Sequence, residues 1–228
     1  MILRAQEISK NFMRKTKSSN VFTAVESMDF EQPEGTLYVV TGRSGSGKST
    51  LMNMLAGLLE PSSGQVFAGE HNLYDMSDEE LSKFRNETFG FIPQGQSAIG
   101  SLNVLENVLL PFSLYGESAG REEYAMELLK RFGIEELAEV MPSELSGGEL
   151  RRMAIARALV RKPQVVFADE PTGDLDDENT EIVLDCLKKI TKDGTSVLLV
   201  THENSALQYA DKCFRMSGGV LSEIGNEE

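Results

Sequence analysis

The sequence has few basic residues, few cysteines and no long apolar run, and each shortage excludes a class of protein. Its 228 residues contain 22 Lys and Arg against 36 Asp and Glu, which gives a net charge of −14. A general nucleic-acid binder needs a basic face to displace counterions from phosphates, so we expect no nucleic-acid partner. A single nucleotide remains a candidate ligand, because a local nest of backbone N–H groups can bind phosphate within an acidic surface.

The two cysteines, Cys186 and Cys213, form no Cys-x-x-Cys pair, which favours reduced cysteines in a cytosolic protein over a metal site. The N-terminus lacks the apolar region of a signal peptide. The best candidate for a membrane span, Leu102–Tyr115, is broken by polar residues and by Pro111, and it falls short of the roughly 18 apolar residues that a span needs. If this protein acts at a membrane, we expect another chain to cross it.

Short apolar runs alternate with helical stretches, which predicts an α/β domain. No repeat or linker interrupts the pattern, so we expect one domain over residues 1–228, with a helical subdomain at about 95–155. The predicted strands are Ile2–Ile8, Phe22–Glu31, Thr36–Thr41, Gln65–Ala68, Thr88–Pro93, Val165–Ala168 and Ser196–Thr201. The predicted helices include Ser49–Leu59, Ser77 to about Asn86, Glu149–Val160 and Glu178–Thr191.

A glycine-rich loop lies between a predicted strand and a predicted helix, with the sequence Gly42-Arg43-Ser44-Gly45-Ser46-Gly47-Lys48-Ser49-Thr50. It matches the pattern of phosphate-binding loops, Gly-x4-Gly-Lys-Ser. The glycines of such a loop let the backbone wrap the phosphates, and the helix start presents unsatisfied N–H groups. We expect Lys48 to reach the β- and γ-phosphates and the Ser49 hydroxyl to ligate Mg²⁺. The alternative, a glycine-rich turn that caps a helix, does not explain the placement between strand and helix.

A second motif, Val165–Glu170, brings two carboxylates to the end of a predicted buried strand, where ligands collect in open α/β sheets. We expect Asp169 to hold the Mg²⁺ shell, directly or through water. Glu170 is expected to polarise the attacking water as general base. Taken alone, the motif is equally consistent with a solvated strand end; the glycine-rich loop upstream favours the nucleotide site.

Several further motifs follow in a fixed order. Leu145-Ser146-Gly147-Gly148-Glu149 resembles the signature motif of ABC ATPases, Gln94 follows a predicted strand, Asp174-Leu175-Asp176 follows the acidic pair, and His202 follows the last predicted strand. Together these motifs resemble the ABC transporter ATPases over nearly the whole chain. The resemblance implies an α/β fold: a P-loop NTPase core with a mixed sheet, an ABC-type antiparallel β subdomain and a helical subdomain.

The resemblance also implies a role for each motif. Gln94 would contact Mg²⁺ and water while its loop meets a membrane subunit, and His202 would contact the γ-phosphate and position Glu170. The signature residues Ser146, Gly147, Gly148 and Glu149 would contact the γ-phosphate of ATP held by a second copy of the chain. Asp174 would also contact nucleotide. Phe12 would stack on adenine, with Phe22 as the alternative. Taken singly, each residue has a plainer explanation. Gln94 could be an ordinary loop amide and His202 an ordinary residue at a strand end. Ser146 could cap a helix, and Phe12 could be a core aromatic.

The signature motif departs from the family pattern. Glu149 stands where the family usually has Gln, and Leu150-Arg151-Arg152 replaces a more polar run. Arg43 occupies a position that is often Pro in the branch that the chain resembles. The serine and the glycines that would contact phosphate are intact, so we expect an active ATPase.

Three segments resemble the lipoprotein-releasing and macrolide- or peptide-export branch: Phe89–Gln94, Asn103–Pro111 and Asp169–Asp176. The resemblance implies ATP and Mg²⁺ as ligands, a second copy of the chain and an integral membrane permease as partners, and a location at the cytoplasmic face of the cell membrane. One alternative is a non-transport ABC ATPase of cell division or nucleic-acid metabolism, and another is a P-loop kinase or switch protein. Leu145–Glu149 and His202 have no purpose in a kinase.

Overall fold

A computed structural model of the chain describes residues 1–13, 21–95, 97–117, 120–173 and 175–225. Asp174 lies outside the described residues, so its contact with nucleotide stays a prediction. The strands are β1 (Leu3–Met13), β2 (Val21–Gln32), β3 (Leu37–Thr41), β4 (Ser63–Ala68), β5 (His71–Asn72), β6 (Phe89–Ile92), β7 (Val165–Asp169), β8 (Ser196–Thr201), β9 (Lys212–Ser217) and β10 (Val220–Ile224). The helices are α1 (Lys48–Leu55), α2 (Asp78–Thr88), α3 (Val104–Ser113), α4 (Glu122–Arg131), α5 (Gly147–Leu159) and α6 (Asp177–Thr191), with short 3₁₀ segments at Leu73–Asp75, Glu135–Leu137, Pro142–Glu144 and Asn204–Tyr209.

The strands form two sheets. The larger has the order β10-β9-β3-β8-β7-β6, in which β10 pairs antiparallel with β9 and the other neighbours are parallel. The smaller sheet is antiparallel, in the order β2-β1-β4-β5. The predicted fold class, a mixed sheet with an antiparallel β subdomain, is confirmed. In the described part of the chain, helices and no strands connect β6 to β7.

Helices and the small sheet cover the larger sheet on its two faces. All residues of β3, β7 and β8 are buried, as in parallel strands covered on both sides. Because successive side chains of a strand point to opposite faces, Val39 packs with α3, α4, α5 and α6, whereas Val40 packs with α1 and the small sheet. The strands β3, β6, β7 and β8 run parallel, so the loops that follow them meet at one edge of the sheet.

Several element ends differ from the predictions. β1 continues to Met13, past the predicted end at Ile8, because it stays paired with β2 as far as Val21. α1 ends at Leu55 instead of Leu59, since Gly57 takes a left-handed conformation at φ 67° that stops the helix. β9 and β10 lie beyond His202, where no element was predicted. Among the described residues, no helix has the combination of length and apolar character that a membrane span needs.

Candidate nucleotide site

The loop between β3 and α1 has the backbone of a phosphate cradle. Gly42 and Gly47 adopt φ values of 152° and 110°, in the region that favours glycine. A Cβ atom would also lie 2.3 Å from the Met216 carbonyl oxygen at Gly42 and 2.3 Å from the Ala24 carbonyl oxygen at Gly47. Both glycines of the motif are therefore required by the close packing of the loop against β9 and β2.

The loop contains groups that suit an anion. Lys48 is 7% exposed, and its ammonium donates to the carbonyl oxygens of Gly42 at 2.8 Å and Arg43 at 3.3 Å, which folds it over the loop. α1 begins after Gly47 without a side-chain cap, so its first N–H groups point out of the helix end. The hydroxyl oxygen of Ser46 is buried and has no hydrogen-bond partner within the described ranges. An unpaired hydroxyl, uncapped N–H groups and a buried ammonium together fit a phosphate chain.

Asp169 ends β7 beside the phosphate loop. Burial raises the pKa of its carboxyl, and a hydrogen bond from the Ser49 hydroxyl together with the charge of Lys48 opposes that shift. The Gln94 side chain, at the end of the neighbouring strand β6, reaches the same cavity. Hydroxyl, carboxylate and amide oxygens are the donors that Mg²⁺ prefers, so these side chains fit the predicted metal site.

Glu170 follows Asp169 with an unusual backbone, at φ 49°. Its carboxylate is 10% exposed, and Oε2 accepts hydrogen bonds from the Thr201 hydroxyl at 3.1 Å and from the His202 backbone N–H at 3.3 Å. The His202 ring contacts the same oxygen through Nδ1 at 2.9 Å. This hydrogen bond and the negative charge of Glu170 raise the pKa of His202. The end of β8 thus holds the carboxylate in one orientation at the cavity wall.

One cavity of about 600 Å³ brings most of the predicted site residues together, a size within the usual range of small-molecule sites. The predicted residues that line it are Phe12, Arg43, Ser44, Gly45, Gly47, Lys48, Ser49, Thr50, Gln94, Asp169, Glu170 and His202. Gly42 and Ser46 line a neighbouring cavity of about 540 Å³ that also touches Arg43, Ser44 and Gly45. Phe12 and Phe22 are directly opposite on β1 and β2 and both line the larger cavity, so the choice between them stays open.

The signature residues are placed elsewhere. Ser146 caps α5, and none of Ser146, Gly147, Gly148 and Glu149 lines the cavity. The Glu149 carboxylate accepts from the Ser146 backbone N–H and hydroxyl, both at 2.7 Å, and the Glu149 N–H donates back to the hydroxyl at 3.3 Å. These hydrogen bonds lower the pKa of Glu149. The residue that departs from the family pattern is therefore the partner of Ser146 in a capping box.

Comparison with known proteins decides the family. The family model described as "ABC transporter" matches residues 25–173, a span that contains both acidic residues, the phosphate loop and the signature motif. The chain belongs to the ABC transporter family. Within that family it is the ATP-binding subunit, and it hydrolyses ATP in support of transport.

Relatives within the ABC family match along the whole chain. The chain is 37% identical over 222 residues to the lipoprotein-releasing system ATP-binding protein LolD of Idiomarina loihiensis, with 96% of each chain covered. It is 38% identical over 202 residues to LolD of Buchnera aphidicola subsp. Acyrthosiphon pisum, with 88% of this chain and 89% of the relative covered. The solved ATP-binding cassette MJ0796, a dimer in a post-hydrolysis state bound to ADP and Pi, superposes with a TM-score of 0.89 at 31% identity and covers 98% of this chain.

Two residues of this ABC ATPase site were not predicted. Thr201 donates to Glu170, and the available signal was a polar residue that follows the apolar run Val197–Val200 and directly precedes His202. Arg151 donates to the main-chain carbonyls of Pro93 at 2.7 Å and Glu170 at 2.6 Å. It belongs to the run Leu150-Arg151-Arg152 that departs from the family pattern, and nothing in the sequence indicates which atoms it contacts.

Proposed function

We propose that this chain powers an ABC transporter that exports or releases lipoproteins, through an ATP-driven dimer bound to a separate membrane permease. The relatives named as lipoprotein-releasing ATP-binding proteins support this cargo class. The match over nearly the full length favours it over a non-transport ATPase. It follows that the chain would act at the cytoplasmic face of the membrane that contains the permease.

The observation that carries the proposal is the position of Glu170. Its carboxylate belongs to a residue that lines the same cavity as Lys48 and Asp169, and Thr201 and His202 fix its orientation. A carboxylate held in this way can accept a proton from a water that attacks the γ-phosphate. Glu170 is therefore assigned as general base, and His202 as the group that orients it and contacts the γ-phosphate.

Ser49, Asp169 and Gln94 would hold Mg²⁺. The ion would neutralise charge on the β- and γ-phosphates. The three residues come from the starts or ends of α1, β7 and β6, so the metal site rests on rigid elements. Lys48 would bind the β- and γ-phosphates through its ammonium.

The dimer follows from the separation of the signature motif from the cavity. The N-terminus of α5 presents N–H groups that do not face the ATP site of the same chain. In a head-to-tail dimer, Ser146, Gly147 and Gly148 would contact the γ-phosphate held by the partner. The dimeric state of the solved cassette MJ0796 supports this arrangement.

The permease contact is assigned to the segment that follows Gln94. Apolar side chains at Ile99, Leu114 and Tyr115 are 43%, 67% and 41% exposed, so they would be available to a partner. Arg157 of α5 holds this segment by donating to the Ser97 carbonyl at 2.8 Å and hydroxyl at 2.5 Å. A partner seated there would be connected to Gln94 and to the signature helix.

The variant Glu170→Gln tests the proposal. It should bind ATP, lose at least about 100-fold of the hydrolysis rate because the base is gone, and accumulate as an ATP-bound dimer in size-exclusion chromatography with light scattering. Glu80→Gln, which removes a carboxylate on α2 far from the cavity, should hydrolyse ATP like the unchanged chain. If Glu170→Gln turns ATP over and stays monomeric at saturating ATP, the assigned base is wrong.

A further inference from the structure

Arg151 occupies an unusual position for an arginine. It lies in the second turn of α5, is 7% exposed, and directs its guanidinium away from solvent. Two of its hydrogen bonds go to main-chain carbonyl oxygens, those of Pro93 at 2.7 Å and Glu170 at 2.6 Å. Burying a guanidinium is costly unless its N–H groups are hydrogen-bonded, so the carbonyl oxygens that accept from Arg151 indicate what the residue does.

The two carbonyl oxygens belong to the two chain segments that carry catalytic groups. Pro93 directly precedes Gln94, and Glu170 is the proposed base. Their strands, β6 and β7, are paired only as far as Ile92 and Ala168, so both residues lie past the end of the ladder. The rigid planar fork of an arginine can bridge two such strand ends and keep the distance between them fixed.

The Glu170 main chain needs such support. Its φ of 49° is in the left-handed region, which is unfavourable for a residue other than glycine and persists only when its surroundings over-determine it. The Glu170 N–H donates to the Val200 carbonyl at 2.8 Å, and the Glu170 carbonyl accepts from the Gly173 N–H at 3.2 Å. Arg151 adds a charge-assisted bond to that carbonyl. The strained backbone directs the side chain toward Thr201 and His202.

We propose that Arg151 is a positioning residue for hydrolysis, which fixes the Pro93–Gln94 and Glu170 main chains relative to each other. The proposal rests on the roles assigned above to Gln94 and Glu170. Arg151 would act on the hydrolytic step more than on ATP binding, because the two carbonyls that it holds belong to the segments of Gln94 and Glu170 and not to the phosphate loop. Arg151 also links two sites of the proposed dimer. It lies on α5, whose Ser146 would contact the ATP held by the partner, and it holds Glu170, which would act on the ATP held by its own chain.

Steady-state kinetics of three single variants tests the proposal. Arg151→Gln should lower kcat by about 10- to 100-fold, the cost of a small misplacement of catalytic groups, with KM for ATP within about 2-fold of the unchanged chain. The kcat of Arg151→Lys should lie between those of Arg151→Gln and the unchanged chain, because one ammonium lacks the fork that spans both carbonyls. Arg161→Gln, the control, removes a similarly buried arginine just past α5 that pairs with Glu117 at 2.9 Å, and should keep the kcat of the unchanged chain.

The kinetic outcomes decide between positioning and a general role in folding. An unchanged kcat, or a rise in KM equal to the fall in kcat, would overturn the proposal. If thermal unfolding shows that Arg151→Gln does not fold, Arg151→Lys decides in its place: a lower kcat at constant KM supports positioning, and a kcat equal to that of the unchanged chain contradicts it.

A dimer measurement separates this proposal from the composite site. Arg151→Gln combined with Glu170→Gln should form the ATP-bound dimer as readily as Glu170→Gln alone, because Ser146 and the phosphate loop are intact. Loss of the dimer only in the double variant would mean that Arg151 acts through the signature, and would overturn its assignment to hydrolysis. If Glu170→Gln alone fails to dimerise, the composite site is wrong, and the kcat of Arg151→Gln still decides the role of Arg151.

Discussion

The helix N-termini of α1 and α5 are both proposed to bind phosphate groups of ATP, yet they are built in opposite ways. α1 begins after Gly47, has no side-chain cap and has no acidic residue in its first turn. α5 begins after Ser146 and has a complete capping box with Glu149, whose carboxylate lies in the first turn. The first N–H groups of α1 therefore lack a side-chain acceptor and suit a ligand, whereas the start of α5 is capped by its own side chains.

The difference suggests an order of events. The uncapped N–H groups of α1, with Lys48 beside them, make a site that one chain can fill with ATP alone. At α5 the Ser146 hydroxyl already donates to Glu149, and the carboxylate offsets the positive end of the helix dipole. A phosphate would have to replace Glu149 as the acceptor of the Ser146 hydroxyl. The α5 site should engage only a phosphate that the partner chain already holds.

The largest effect is expected from loss of the α1 site. Lys48→Ala should weaken ATP binding by on the order of 10²–10³-fold, since it removes a buried cation from a multiply charged ligand, and hydrolysis should be lost with it. Binding of a fluorescent ATP analogue measures this in the monomer. Lys83→Ala, which removes an exposed lysine of α2 that pairs with Glu87, is the control and should bind like the unchanged chain. Equal affinities for the Lys48 variant and the control would refute the assigned ATP site.

The α1 site is also the part that the sequence predicts best. Strand, loop and helix are consecutive in the chain, so the motif itself marks the site, even though the contacts that exclude a side chain at Gly42 and Gly47 come from the distant residues Met216 and Ala24. The α5 start is harder to predict, because Gly147 and Gly148 are poor helix formers and the sequence predicts a helix only from Glu149. The Ser-x-x-Glu pattern that predicts the capping box at Ser77 is present at Ser146 as well. This pattern accounts for the capped helix start that the sequence allows at Ser146.

Other features depend on contacts between distant parts of the chain. Arg151 reaches a carbonyl 58 residues away, and only the packing of α5 against β6 brings the two together. The left-handed backbone at Glu170 is likewise fixed by β8 and by Arg151, and the local sequence would allow an ordinary conformation. Periodicity and motif spacing do not encode such contacts.

A second large effect is expected at α5. Ser146→Arg should leave ATP binding by the monomer within about 2-fold, because the cavity is formed without Ser146, yet lower hydrolysis by roughly 100-fold, the scale of losing a phosphate-stabilising donor. Fluorescence binding and a phosphate-release assay measure the two quantities on one preparation. A parallel loss of monomer binding would place Ser146 in the site of its own chain.

A matched control for Ser146 exists in α2. Ser77 caps that helix with Glu80 in the same geometry, its N–H and hydroxyl donating to the Glu80 carboxylate at 2.9 and 2.7 Å. Ser77→Arg removes an equivalent cap from a helix start with no proposed ligand. Like Ser146→Arg, it should lower the melting temperature, but it should leave the rate of ATP hydrolysis unchanged. If both variants lose hydrolysis equally, the effect at Ser146 is one of folding.

The smallest effect tests whether Glu149 competes with the incoming phosphate. Glu149→Gln retains an oxygen that can accept from the Ser146 N–H, but it removes a negative charge from the start of α5. A charge at this position contributes roughly 0.3–1 kcal/mol and the dimer has two such sites, so the ATP-bound dimer of Glu170→Gln should form at about 3- to 30-fold lower protein concentration when Glu149→Gln is added. Adding Glu80→Gln instead removes the same charge from α2 and should leave the dimerisation midpoint where it was. A dimerisation midpoint that stays constant or rises with Glu149→Gln would show that the carboxylate only caps the helix. The starts of α1 and α5 would then differ in helix stability and not in their affinity for phosphate.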